Sequence, residues 1–197
     1  MYSHNKEKYM NSAPFGNLEE QLRAKTETPE WERMIEGVNN ADTIYVIGNG
    51  GNMAVASHAA ADITRLTNKR VWSLDSQSLL TSIANDFGYE NIFKNWLEHY
   101  ANPEERNMVI GFSGSGNSKN VVSALNWASE THNWGCTLIS GSGSNCLDSN
   151  IPEINFDNDY FHQHEILSVM CFYEIVYNLG HKCPTIKAEL VRKYGTV

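Results

Sequence analysis

The sequence is poor in the features that would place it in several common classes. It has only four cysteines, Cys136, Cys146, Cys171 and Cys183, and none forms a CxxC. Cys171 lies in an apolar helical run and reads as a small buried hydrophobe. Positive charge is scarce: 15 Lys and Arg stand against 23 Asp and Glu, for a net charge of −8. That balance argues against a general nucleic-acid binder and against attraction to an anionic membrane. Any anionic ligand must be held by local groups rather than by the overall field. Long hydrophobic runs are missing too. The longest, "ILSVMCFYEIVYNL", is too short to span a bilayer and contains Glu174. No basic segment followed by an apolar stretch opens the chain, so a cytoplasmic protein with free thiols is expected.

What remains is an ordinary globular composition, 197 residues with 41% apolar, enough for one domain with a core. Residues 1–16 are polar and without periodicity and read as a mobile or partner-docked arm, followed by a single domain over 17–197 that opens with helices. Thr28-Pro29 looks like an N-cap with proline at the first helical position. Trp31, Met34, Ile35 and Val38 then mark an amphipathic helix. Short β-branched runs follow: "TIYVIG" (43–48), "RVWSLD" (70–75), "NMVIGFS" (107–113), "CTLIS" (136–140) and "PEINFD" (152–157). Helical stretches near 53–67, 77–84 with 89–100, and 118–132 separate the first four, and the chain ends in a helix near 162–179. Alternating strands and helices predict an α/β fold, a parallel sheet covered on both faces in a three-layer αβα sandwich.

Two turns are rich in small residues. "GNGGN" (48–52) ends the first strand and opens a helix, whose unpaired N–H groups and dipole favour an anion without any basic side chain. It is not a Walker A loop, because no GK[ST] follows. Nor is it GxGxxG, because Met53 holds the last glycine position. "SGSGNS" (113–118) offers the hydroxyls of Ser113, Ser115 and Ser118, with Ser118 placed as an N-cap. Either alone could be a generic turn. Two after neighbouring strands fall where open α/β sheets bind ligands. A third segment, "IANDFGYENIF" (83–93), ends a helix at Asn85 and Asp86 and turns at Gly88. It reads either as a C-cap and turn or as a pair of acceptors for sugar hydroxyls.

Together "GNGGN" with His58 and Asp62, "LLTSIANDFGYENIF", "GFSGSGNSKNVVSAL" and "HEI" (164–166) resemble the sugar isomerase (SIS) domain family, in its phosphoheptose isomerase branch. The resemblance runs from about Asn39 to Leu179. It implies a flavodoxin-like, five-stranded parallel sandwich. It also implies a homotetramer with sites shared between subunits, and isomerisation of sedoheptulose 7-phosphate to a heptose 7-phosphate or of a related sugar phosphate. By position, Asn49, Gly50, Gly51, Asn52, Asn85 and Asp86 would line the substrate, and Ser113, Gly114, Ser115 and Ser118 would hold its phosphate. His58 matches a zinc ligand, Asp62 a glutamate that is base and ligand, and His164 a glutamine ligand, so Zn²⁺ is the implied cofactor. The chain departs from the family at Phe172, where a histidine serves as ligand and general acid/base. An alternative is therefore a non-catalytic sugar-phosphate-binding regulator or adaptor.

Helical spacing adds expectations of its own. Ala56, Ala59, Ala60 and Ile63 make a narrow stripe suited to close packing on a sheet, and His58 and Asp62 share the opposite face at i, i+4. That face reads as a solvated pair, or as a site wall if a subunit packs on it. The helix near 162–179 is apolar almost all round, which predicts burial, most simply in an oligomer. With Phe172 unable to carry a proton, Asp62 is left as base and His164 as the replacement for the missing histidine.

Overall fold

The run Thr43–Gly48 is buried at every position, which a strand survives only when covered on both faces. In the computed structural model, which describes residues 13–195, it is β1 of a parallel five-stranded sheet. The others are β2 (Arg70–Ser73), β3 (Asn107–Ser113), β4 (Trp134–Ser140) and β5 (Glu153–Asn155). Their order is β2-β1-β3-β4-β5, all parallel. The expected doubly wound sandwich is thus the observed one. Alternation along each strand splits the core in two. Ile44, Val46, Met108, Ile110 and Phe112 point to one side. Tyr45, Ile47, Val109, Cys136 and Leu138 point to the other.

The first side is covered by α1 (Leu18–Thr26), α2 (Pro29–Asn40), α3 (Gly51–Leu66) and α7 (Phe161–Asn178). Thr28 caps α2 as expected, its hydroxyl accepting from the Trp31 N–H. Ala56, Ala59, Ala60 and Ile63 are all buried, so small side chains let α3 lie close to the sheet. The second side is covered by α4 (Gln77–Phe87), α5 (Ile92–Tyr100), which follows a single 3₁₀ turn at Tyr89–Asn91, and α6 (Lys119–Glu130). A Cβ on Gly111 of β3 would stand 2.8 Å from Val121 Cγ1 and 2.9 Å from Leu125 Cδ1. The bare backbone there is what lets α6 sit against β3.

Some boundaries and one element differ from expectation. α8 (Ile186–Tyr194) follows α7, although the sequence reading ended the helices near 179. It carries no buried residue, so no apolar stripe announced it; it starts at Thr185, whose hydroxyl accepts from the Ala188 N–H. α7 is buried as its all-round apolarity predicts, and much of that burial comes from its own chain. Leu167, Cys171, Phe172, Ile175 and Val176 are buried within one chain, and Val169, Met170 and Tyr173 are partly buried against the same core. The proposed arm falls mostly on residues 1–12, outside the described residues. Its described end is docked: the Pro14 carbonyl accepts from Gln163 Nε2 at 2.7 Å, with His162 Nε2 at 3.1 Å. Among the described residues no helix is long and apolar enough to cross a membrane.

Gly111→Ala should force α6 off the sheet and cost about 1–3 kcal/mol as overpacking. A lower urea midpoint at unchanged m-value is the expected result.

Candidate functional site

The sheet reverses direction of growth between β1 and β3, which lie side by side with Gly48 opposite Phe112. From β1 the chain turns into α3 on one face, and from β3 into α6 on the other. The two turns must therefore part and leave a crevice at the carboxyl ends of the strands. Adjacent strands are about 5 Å apart, so both turns are within reach of one small molecule.

The first turn depends on glycine at two positions. Gly50 adopts φ +57° as it opens α3 without a side-chain cap. Gly51 has no room for a side chain, because a Cβ would fall 2.1 Å from Glu165 Oε1 and 2.7 Å from Oε2. A carboxylate of α7 thus lies over the start of α3, where the helix dipole favours negative charge. This corrects the expectation that "GNGGN" is an open anion cradle: the protein's own anion is already there, and a phosphate beside it would be repelled. Asn52 is buried at 7% exposure, and its Oδ1 has no partner.

Asn49 is committed elsewhere. Its Nδ2 donates to Asn120 Oδ1 at 2.7 Å, and Asn120 Nδ2 donates back to Asn49 Oδ1 at 2.8 Å. The Tyr89 hydroxyl donates to the same Oδ1 at 2.9 Å. The side chain expected to line the substrate instead ties the first turn to α6. Asn85 and Asp86 are exposed at the end of α4, where Asn85 Nδ2 donates to Asp86 Oδ1 at 2.9 Å. Gly88 then reverses the chain with φ +85°, so the cap reading of this segment holds. It reaches the crevice through Tyr89.

The second turn, 113–118, opens α6. Ser118 takes the N-cap position but makes no capping bond with its side chain. Ser113 Oγ donates to Ser118 Oγ at 3.1 Å instead, and Asn120 Oδ1 accepts the Val121 N–H. Ser115 is exposed, with its Oγ accepting from the Asn117 N–H. Asn117 binds the turn to the next one, its Oδ1 accepting from the Asn145 N–H at 2.9 Å. The Gly141 N–H donates to the Gly114 carbonyl at 3.1 Å. Beside this turn lies a cavity of about 320 Å³ lined in part by Gly114, Ser115, Ser142, Asn158 and His164. His164 is 1% exposed, and its Nδ1 has no partner. Its Nε2 lies 3.4 Å from Ser168 Oγ. Burial pushes the imidazole down to about 4, so the ring is neutral at neutral pH.

His58 and Asp62 share the exposed side of α3, with His58 Nε2 3.3 Å from Asp62 Oδ2. Arg65 reaches Asp62 Oδ1 at 3.0 Å, and the Tyr173 hydroxyl donates to Oδ2 at 2.8 Å. Burial alone would raise the Asp62 carboxyl, but Tyr173 and Arg65 outweigh it and hold the group below the usual carboxylate value. Phe172 is fully buried, 5.0 Å from the His58 ring between centroids. His164 lies eight residues earlier on α7, roughly 12 Å along the helix. Within one chain it therefore does not take the place of the missing histidine beside His58. Nor do His58, Asp62 and His164 fit a zinc ion together. Among the described residues no three His, Cys, Asp or Glu side chains are grouped closely enough to hold a metal. The residues that sequence reasoning missed are Asn120, Tyr89 and Glu165.

A family model described as SIS domain matches residues 26–143. The phosphoheptose isomerase of Helicobacter pylori strain P12 is 40% identical over 103 residues, covering 49% of this chain and 53% of that protein. That of Geotalea daltonii is 38% identical over 114 residues, covering 55% and 57%. The chain spans about half the length of the curated relatives it matches. The structure of phosphoheptose isomerase GmhA from Neisseria gonorrhoeae superposes with a TM-score of 0.71 at 23% identity, covering 83% of this chain and 91% of that one. At that identity the superposition speaks for the fold.

The neutral His164 gives a test of the cavity wall. Its folded value of about 4 lies below the ordinary 6.5, so the unfolded chain binds the extra proton between the two. The stability contributed by the neutral ring is complete above about pH 6.5 and is lost as the pH falls toward 4, by roughly 3 kcal/mol at most. His164→Gln should flatten the dependence of urea-unfolding stability on pH across that window. Equal slopes in the two proteins would put the ring in water.

Proposed function

The chain belongs to the SIS domain family, and from that premise we propose that it is a phosphosugar isomerase. Its substrate would be sedoheptulose 7-phosphate, converted to a heptose 7-phosphate, or a closely related ketose phosphate. The observation that carries this reading is the serine turn. It joins Ser113 to Ser118 at the start of α6 and sets Ser115 in the wall of a cavity that Ser142 and the buried His164 ring also line. Hydroxyls and helix N–H groups suit a phosphate in a protein of net charge −8, where no overall field would hold an anion. The names of the relatives, phosphoheptose isomerases at 38–40% identity, support the same substrate class.

Interconversion of ketose and aldose needs a base for a carbon-bound proton and a donor for the oxygen that becomes negative in the enediolate. Such acid/base help is worth about 10²–10⁴-fold. Family resemblance gives the base to Asp62, and His164 lines the cavity as a neutral imidazole. Zinc, the cofactor that the resemblance implies, would need a third donor from another subunit. A homo-oligomer, in the family a tetramer, is supported by the partly covered Val169, Met170 and Tyr173 and by the half-exposed Tyr177 on α7.

A second reading, binding without catalysis, is favoured by Phe172, which replaces a proton carrier and is fully buried. Sedoheptulose 7-phosphate followed by NMR separates the two. Turnover is expected, and Ser118→Ala should raise KM by about tenfold or more, as befits one lost hydrogen bond to a charged group. Saturable binding with no turnover would leave the regulator reading. Light scattering and metal analysis of the same sample test the oligomer and the zinc.

A further inference from the structure

We propose that the bare face of β2 is one wall of a binding site for a small organic cation, a quaternary or methylated ammonium group held among aromatic rings. The site lies outside the crevice, and the proposal does not depend on the isomerase reading.

Strands of a parallel sheet are normally covered on both faces. β2 breaks that rule. Val71 is buried in the core beneath α3. Its neighbours Arg70 and Trp72 turn to the other face and are exposed, Trp72 by 59%. Beside them lies a cavity of about 470 Å³, within the usual size of small-ligand pockets, about 300–1,000 Å³. It is on the α4 and α5 side of the sheet, opposite α7, the helix whose partly covered residues support an oligomer.

The rings of Tyr45, Trp72, Trp96 and Tyr100 line this cavity. Strand register sets Tyr45 of β1 beside Trp72 of β2. Trp96 and Tyr100 share one side of α5 at i, i+4. Tyr45 and Trp96 are buried and meet edge to face, 5.5 Å between centroids at 82°. Side chains opposite each other on paired strands are ordinarily close enough to touch. Yet among the described residues neither Trp72 nor Tyr100 makes a ring contact. The space between the rings is the cavity. Rings at right angles bound a compact group on more than one side, whereas a flat ligand calls for parallel ones. Their faces carry negative potential and attract a cation, tryptophan most strongly.

The charges favour the same sign. Arg70 also lines the cavity, but its Nη2 is 2.8 Å from Glu105 Oε1, so the two cancel. Asp75 lies beyond the carboxyl end of β2, where its Oδ2 accepts from the Ser73 hydroxyl at 2.7 Å. No basic side chain pairs with it among the described residues. The lining therefore has one carboxylate in excess, in a chain of net charge −8. A phosphate would meet the wrong sign here.

The test uses the full chain and choline chloride, read by tryptophan fluorescence and calorimetry at matched ionic strength. The control is 3,3-dimethyl-1-butanol, which has the same shape without the charge. Choline should bind saturably, and the neutral compound about tenfold more weakly. Trp72→Ala and Tyr100→Ala, both at exposed positions outside the crevice, should each weaken choline by about three- to thirtyfold, and Trp72→Phe should keep part of the affinity. Asp75→Asn should weaken binding and flatten its dependence on salt. Equal affinity for choline and the neutral compound overturns the proposal, as does the absence of saturable choline binding. So does choline binding that both alanine variants leave unchanged, which puts the cation elsewhere. A parent that binds no choline, with light scattering showing that Trp72→Ala breaks up an oligomer, overturns it in favour of a second copy of the chain on this face.

Discussion

Two amide side chains facing each other across the reversal point of the sheet hold the site in shape. Asn49 leaves the first turn and Asn120 lies in the first turn of α6, and each donates to the other. Asn49 lies in the turn before α3 and Asn120 in α6, on opposite faces of the sheet, so the pair adds a side-chain tie just beyond the last strand pairing of β1 and β3. Because Asn120 is 2% exposed, losing the pair would leave a buried donor and acceptor unpaired, at about 1–3 kcal/mol. The pair fixes the distance between the two turns before any ligand arrives, and Tyr89 adds the third turn to the same frame.

Within that frame the two helix starts are used in opposite ways. α3 faces a carboxylate from its own chain, which suits the dipole and discourages a second anion. α6 faces hydroxyls and free N–H groups, with the capping bond of Ser118 exchanged for a contact with Ser113. The outcome is a polarised crevice, with a carboxylate at one helix start and hydroxyls at the other. The two buried thiols take no part. Burial pushes Cys136 up to about 12 and Cys171 up as well, so neither is a nucleophile.

Much of the fold could be read before any coordinates, because its signals are local. β-branched runs at 43–48 and 107–113 became strands with those bounds, and the alanine stripe of α3 is buried as its spacing required. What escaped depended on contacts distant in sequence. β4 begins at Trp134 rather than Cys136 because it pairs with β3 from Asn107 onward, and the Trp134 indole stacks on Tyr45, 6.3 Å between ring centroids. Asn120 looks like any polar residue in a first helical turn until its partner, 71 positions earlier, is in place. Glu165 sits in the "HEI" segment without an assigned role, and its place over the first turn shows only through the missing Cβ of Gly51 in another element. Phe172 was legible as a departure, but only packing shows that it lies under His58 and leaves His164 two turns away.

The docking of Pro14 also bears on the crevice. Its carbonyl accepts from Gln163 and His162, and the Phe15 ring meets the His162 ring edge-on at 5.5 Å. These are the residues immediately before His164 and Glu165 on a helix whose own start has no side-chain cap. The peptide ahead of α1 thus does for α7 what a capping residue does for other helices, by bracing its first turn from outside. Whatever pulls on that peptide, whether a fused tag, a neighbouring subunit or a crowding surface, pulls on the turn that aims both side chains into the crevice.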